Sequence, residues 1–464
     1  MGQKPRDAKE PVAAASGSRL VRHVSEMLRL APAIVLARSG MILMILVDIV
    51  MVGHYDARQL GFMAMGMSLV QPLVVTSLGL IMGTMVLTAY HFGAGDIREC
   101  GRVWRRSVAY AVGLGVIATV ACMFGETLLT WTGQSPELAR EGGRVMVVLG
   151  IGVPGHLLFL ACSFFLEGIR RPAPGLVVMV IANLVNFGLN SVLIHGAIDG
   201  LPDGAIGAAL ATTVSRWVLA IGMIGYVLCM RGHDAFGVRK PAGGGWRAWR
   251  HQRRLGYATG TSLAGEACAF TTVQQFAGWL GPLPLASFTV SFYLLVTSFM
   301  VAIGLGAATA VRVGNAHGRR DADDMMLAGW VGLAVTTVVT VVMGILMVGL
   351  DAPLVRVFTD DAAVLAATVP LVAWVALTLV TDGGQAVMAN ALRGRQDVWM
   401  PCFLQTFAFF GVMVPLTWYL VFPVGHGVVG IFQGVGLATV VSLALLSARF
   451  YWLYRRDVGA NAGG

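Results

Sequence analysis

Residues 79–96 read GLIMGTMVLTAYHFGAGD, and residues 304–321 read GLGAATAVRVGNAHGRRD. At an offset of 225, Gly79, Leu80, Thr84, Gly93 and Asp96 align with Gly304, Leu305, Thr309, Gly318 and Asp321. A second pair, FLEGIRRPAP at 165–174 and ALRGRQDVWM at 391–400, aligns Gly168 with Gly394 at an offset of 226. Two blocks at nearly one offset mark an internal duplication. The repeat encloses six apolar spans, an even number, so both copies enter a membrane the same way. That predicts a pseudo-twofold axis along the membrane normal, with substrate bound between the halves.

The duplicated unit is helical and membrane-embedded. The chain has 464 residues, 56% hydrophobic and only 12% charged, with a mean hydropathy of +0.74. A soluble domain carries about 25% charged residues. A crossing helix needs roughly 20 apolar residues. Twelve such spans are expected, near 32–53, 61–89, 105–126, 144–167, 174–196, 204–230, 255–279, 284–311, 326–350, 362–391, 400–422 and 427–453. Alternation over about 10 residues, the mark of a membrane barrel, does not occur. Glycine, at 59 residues, suits helices whose backbones approach closely. The fold class is therefore all-α integral membrane, with twelve transmembrane helices in two pseudo-symmetric six-helix bundles.

Charge gives the orientation. The net charge is +9, and in a soluble protein this would suggest nucleic acid. Here 27 Lys and Arg fall in the N-terminus, even-numbered loops and C-terminus, against 4 in the odd-numbered loops, namely Arg58, Arg140, Arg144 and Arg356. By the positive-inside rule both termini are cytoplasmic. The expected order is a cytoplasmic segment 1–31, an N-lobe 32–230, a basic linker 231–254, a C-lobe 255–454 and a cytoplasmic tail 455–464. In the linker, Trp246 and Trp249 are expected at the lipid headgroups. About thirty mostly polar residues precede the first span, so it reads as a retained anchor rather than a cleaved signal. Six cysteines show no CxxC and no zinc spacing, which fits small apolar packing residues.

Three acids sit where a membrane helix should have none: Asp48, Glu266 and Asp382. A carboxylate in hydrocarbon is costly and survives mainly where it faces a cavity or binds a cation. Asn183, Asn186 and Asn190 share one face of the fifth span. Their amide oxygens can ligate Na⁺ beside a carboxylate, or the asparagines can simply join helices by hydrogen bonds. Glu266 and Asp382 can share a proton or form a site of hard oxygens for a cation. Their alternative is neutralisation by Arg216 or a polar network. Arg38 lies ten residues before Asp48, about 15 Å along a helix, too far to pair with it. It is long enough to snorkel to the cytoplasmic interface. His156 falls opposite Asp382 at the 226 offset and is a lesser candidate for proton coupling. Pro72, Pro154, Pro370 and Pro415 lie within spans, as kinks or hinges. There is no GxxxxGK[ST] motif, so no built-in ATPase of that type is expected.

The repeated blocks, Pro32 with VDIVMVG at 47–53, NLVNFGLNSVLIHG at 183–196, GAIGAALATTVSRW at 204–217, AATAVRVGNAHG at 307–318, and Gln385 followed by LRG at 392–394 together resemble the multidrug and toxin extrusion (MATE) family, in its NorM-like bacterial branch. The likeness runs from about residue 30 to 450. It implies two six-helix lobes around a V-shaped cavity, and export of organic compounds driven by inward Na⁺ or H⁺. It places the coupling ion at Asp48 with Asn186 and Asn190, or at Glu266 with Asp382. Asn190 stands where some relatives carry aspartate, so a paired-aspartate proton scheme does not transfer. Arg216 matches a basic position of relatives and reads as an anchor. Gln275, Phe292, Tyr293 and Gln385 are the expected cavity lining, and methionine, at 23 residues, offers adaptable apolar contacts. The remaining expectations are a monomer in a bacterial inner membrane, no cofactor, no enzymatic activity, and small organic cations or amphiphilic drugs as cargo. Two other readings stand beside this one. A lipid-linked oligosaccharide flippase would need a basic cavity, and a lipid-modifying membrane enzyme would need clustered metal ligands.

Overall fold

A computed structural model describes residues 12–462 apart from 197–199, 201, 242 and 244. Among the described residues the regular structure is helical throughout. Twelve long helices organise it: α1 Val12–Tyr55, α2 Arg58–Gly93, α3 Ile97–Met123, α4 Pro136–Gly168, α5 Ala173–Leu193, α6 Gly204–Cys229, α7 Arg250–Trp279, α8 Pro282–Gly318, α9 Ala322–Gly349, α10 Ala362–Gly394, α11 Trp399–Val421 and α12 Gly427–Ala462. Eleven are long and apolar enough to cross a membrane. The exception is α7, whose first two turns carry Arg250, His251, Gln252, Arg253 and Arg254, and which bears Glu266 further on. It packs in place as the seventh helix all the same.

Several boundaries differ from expectation. Residues 1–11 of the expected N-terminal segment lie outside the described residues, and from Val12 the chain is already helical. The linker carries helical turns of its own at His233–Phe236 and Trp246–Trp249. A short helix, His233–Phe236, docks on α3, where a Cβ at Gly101 would lie 1.8 Å from the Phe236 carbonyl oxygen, and Arg105 donates to the carbonyls of Gly237 and Pro241. Helix starts are set by side-chain caps: Asp96, Ser135, Asp321 and Asp361 accept from backbone N–H groups of the following turn. Of the four prolines expected within spans, Pro370 lies in a 3-10 turn, Val369–Leu371, inside α10, and Pro415 follows a π-helical stretch, Phe407–Met413, in α11. Apolar side chains such as Ile117, Val338 and Phe403 stand outward and exposed, as a lipid-facing surface requires.

The duplication is visible atom by atom. A Cβ built on Gly93 would lie 2.1 Å from the Asn315 carbonyl oxygen, and one on Gly318 would lie 2.0 Å from the Tyr90 carbonyl oxygen. Residue 90 is the repeat mate of 315, and 93 of 318. The same contact therefore occurs twice, as across a twofold interface. A Cβ built on Gly79 would lie 2.6 Å from the Gly260 Cα and one on Gly304 would lie 2.9 Å from the Val35 Cα, and 35 is the mate of 260. A Cβ on Gly314 would sit 2.9 Å from the Cβ of Ala89, its own mate, so the pseudo-twofold axis passes there. Backbone conformation repeats too. Gly95 (φ +79°) corresponds to Arg320 (φ +60°), and Arg170 (φ +62°) to Gln396 (φ +67°). These approaches weld α1 and α2 to α7 and α8 at the arginine-rich ends of the helices. Past this seam the halves enclose a cavity, completing the V.

Candidate functional site

Three helices of the N-lobe converge on Asp48. Asn186 and Asn190, one turn apart on α5, donate through Nδ2 to Asp48 Oδ1 at 3.1 and 2.6 Å. Thr212 on α6 donates to Oδ2, and Asn190 Nδ2 also reaches Asn186 Oδ1 at 3.2 Å. Asp48, Asn190, Asn186 and Thr212 are all buried. The structure thus brings together Asp48, Asn186 and Asn190. It separates Asn183, which bonds the Gly40 carbonyl at 3.1 Å and only ties α5 to α1. Sequence reasoning missed Thr212. The available signal was Thr212 and Arg216, polar residues four apart on one face of an otherwise apolar helix. Arg216 is within electrostatic reach of Asp48 and donates to the Leu149 carbonyl at 3.4 Å. Asn190 Oδ1 is buried with no hydrogen-bond partner. Amide and carboxylate oxygens are hard donors of the kind a small cation takes. Among the described residues no group of three His, Cys, Asp or Glu could hold a metal ion.

The second acidic pair lies in a cavity of about 500 Å³ between the lobes. Glu266 on α7 and Asp382 on α10 both line it. Asp382 accepts from Gln385 Nε2 at 3.1 Å, Gln405 Nε2 donates to Gln385 Oε1 at 2.9 Å, and Ser262 and Arg393 donate to Gln405 Oε1 at 2.7 and 3.3 Å. This chain of bonds crosses three helices of the C-lobe, α7, α10 and α11. The cation near Glu266 is Arg393, not Arg216, which belongs to the Asp48 site in the other lobe. Facing the polar network is an aromatic wall of Phe270, Phe288, Phe292 and Phe299, with Phe288 and Phe292 stacked at 5.7 Å. Phe292 and Gln385 take their expected places in the lining. Gln275 and Tyr293 do not. Both are exposed, and Tyr293 is 51% accessible. Their neighbours Gln274 and Phe292 line the cavity instead, because one step along a helix turns a side chain by about 100°.

A further buried acid, Glu167, changes the account of Arg38. Its guanidinium lies 3.3 Å from Glu167 and 5.0 Å over the ring of Phe164. Both partners of the pair are buried, and Arg38 lines the cavity. It does not snorkel to a membrane surface, because Glu167 at the end of α4 reaches it first. Two arginines, Arg38 and Arg393, therefore share the cavity with two carboxylates, Glu266 and Asp382. His156 is buried in the N-lobe, its ring 6.5 Å from Phe159, with Arg216 and Arg38 as charged neighbours. Its repeat mate Asp382 lies across in the C-lobe.

Comparison with known proteins agrees with this architecture. The MatE family profile matches residues 33–192 and 259–419, once in each lobe. A probable multidrug resistance protein NorM of Caulobacter vibrioides is 36% identical over 434 residues, 93% of this chain and 92% of that protein. Another of the same name, from Bradyrhizobium diazoefficiens, is 32% identical over 466 residues, 97% and 98% of the two chains. Among solved structures, the outward-facing conformation of a multidrug resistance MATE family transporter superposes with a TM-score of 0.86 at 17% identity, covering 94% of this chain and 96% of that one. The eukaryotic MATE transporter AtDTX14 superposes with a TM-score of 0.84 at 18% identity, covering 95% and 99%. The chain belongs to the MatE family, and it is a membrane transport protein rather than an enzyme.

Proposed function

We propose that the protein is a secondary multidrug exporter that exchanges inward Na⁺ or H⁺ for organic cations or amphiphilic compounds by alternating access between its lobes. The observation that carries this reading is the cavity itself. An aromatic wall faces carboxylates across a space sized for a small organic molecule, and aromatic faces with nearby acids attract desolvated cations. The names of the curated relatives point the same way. The coupling ion, as cargo, has two places to bind: Asp48 with Asn186, Asn190 and Thr212, and the Glu266–Asp382 pair. An ion shifts the balance of states only by binding them unequally. That the helix of Asp48, α1, also joins the seam through Val35 supports a role for it in such a shift.

The charge asymmetry supports cytoplasmic termini in a bacterial inner membrane. The seam then closes the cytoplasmic side and the cavity faces outward. A single chain completes the cavity, which supports a monomer, and no cofactor or nucleic acid enters the scheme. The test is ethidium efflux from vesicles with Na⁺ and proton gradients imposed separately. One gradient should drive efflux in the native protein and fail to do so in Asp382→Asn or Asp48→Asn at equal expression. Full-rate efflux with neither gradient refutes antiport.

A further inference from the structure

At the arginine-rich end of the seam lies a second pocket, of about 340 Å³, lined by Arg19, Arg22, His23, Arg170, Arg312 and Arg319. Its acids are Glu26, Asp321 and Asp324, so five guanidinium groups face three carboxylates. Those carboxylates are already engaged. Asp324 binds Arg22 at 2.6 Å and His23 at 2.8 Å, and also Arg319. Glu26 holds Arg170 at 3.2 Å. Asp321 caps α9 through the Asp324 backbone N–H.

Arg312 is left over. Its side chain is 1% exposed, its Nε stands 3.8 Å from Glu26, beyond hydrogen-bond range, and its Nη1 reaches only the Met27 sulfur at 3.7 Å. Nε and Nη2 have no hydrogen-bond partner among the described residues. A buried guanidinium with idle N–H groups is unfavourable unless an anion meets it. The pseudo-symmetry sharpens the point. At the mated positions the other lobe carries Leu87 for Arg312 and Ala94 for Arg319, and Gln396 stands for Arg170. The mate of the Glu26–Arg170 ion pair is a hydrogen bond to an amide, His251–Gln396 at 2.9 Å. The fold therefore does not require arginine at these three positions.

The geometry points to a phosphate-type oxyanion site, built from both lobes, that takes a free phosphate or the headgroup of an anionic lipid. Arginine forks suit the planar faces of such oxyanions. Arg22, His23, Glu26 and Arg170 come from one lobe, and Arg312, Arg319 and Asp324 from the other. The site exists only while the seam is shut, so its ligand stabilises the seam-closed state in proportion to its preference for that state.

The full-length protein in neutral-headgroup micelles is melted in rising potassium phosphate, with potassium chloride at matched ionic strength as reference. Phosphate should raise the melting temperature saturably, and Arg312→Met should weaken the apparent affinity at least about ten-fold. Should Arg312→Met not fold, Arg19→Gln on the exposed rim is measured the same way and should weaken it at least about three-fold. The two sources are separated in nanodiscs. Loss of the phosphate response when phosphatidylglycerol is added to phosphatidylcholine identifies the lipid headgroup, and an undiminished response identifies free phosphate. Equal melting in phosphate and chloride, or an unchanged phosphate affinity in a folded variant, overturns the site.

Discussion

Adding one methyl group at Gly93 or at Gly318 should prise the seam open. The Cβ would stand 2.1 Å from the Asn315 carbonyl oxygen in the first case and 2.0 Å from the Tyr90 carbonyl oxygen in the second. A carbon rests about 3.3 Å from a carbonyl oxygen, so the opposing backbones must part by about 1.2 Å. No side-chain rotation can relieve the clash, because the atoms met are main chain of the other lobe. Overpacking of this kind costs about 1–3 kcal/mol, which changes a two-state population about 5- to 150-fold. Spin labels at positions 140 and 360, exposed and in different lobes on the cavity side, would report the change by double electron–electron resonance. Gly93→Ala and Gly318→Ala should each move population from the long to the short distance, and Gly113→Ala should not, since its Cβ meets nothing within 4 Å. Because 93 and 318 are symmetry mates, the two shifts should be similar in size. Unchanged distances in both variants would refute the claim that these glycines hold the lobes together.

Thr212→Val removes the donor on Asp48 Oδ2 and leaves the asparagine donors on Oδ1. A lost buried hydrogen bond is worth about 0.5–1.5 kcal/mol, so stability in denaturant and gradient-driven efflux should both fall. Native efflux in this variant would exclude Thr212 from the ion site. Arg38→Met strands Glu167 as a buried unpaired acid and should lower stability by about 3–5 kcal/mol. Adding Glu167→Leu to it should restore most of that loss in thermal unfolding. If the double variant is no more stable than Arg38→Met alone, the pair does not act as a unit.

What the sequence disclosed and what it hid follow from range. The 225-residue offset encodes the lobes because symmetric glycine contacts need the same small residue at both mated positions, as at Gly93 and Gly318. Asp48 and its asparagines were legible because an intramembrane acid demands donors and the helix spacing of 186 and 190 supplies them on one face. Glu167 was hidden because it lies at the end of α4, where a carboxylate can ordinarily reach water. The clue was its partner, since an intramembrane Arg38 with no acid in reach on its own helix requires one from another. Thr212 is a common residue in membrane helices, and only the fold shows it meeting Asp48. Gln275 and Tyr293 failed by one position each, an error smaller than the uncertainty in rotating an apolar helix by pattern alone.

One helix carries three jobs along its length. Arg22 and Val35 of α1 engage the opposite lobe, Arg38 borders the drug-sized cavity, and Asp48 receives the donors of α5 and α6. From residue 35 to 48 is about 20 Å of continuous helix. A push or twist at one end is therefore felt at the other without any relay of side chains. A change of shape in this rod therefore reaches the contact between lobes, the border of the cavity and the Asp48 cluster together.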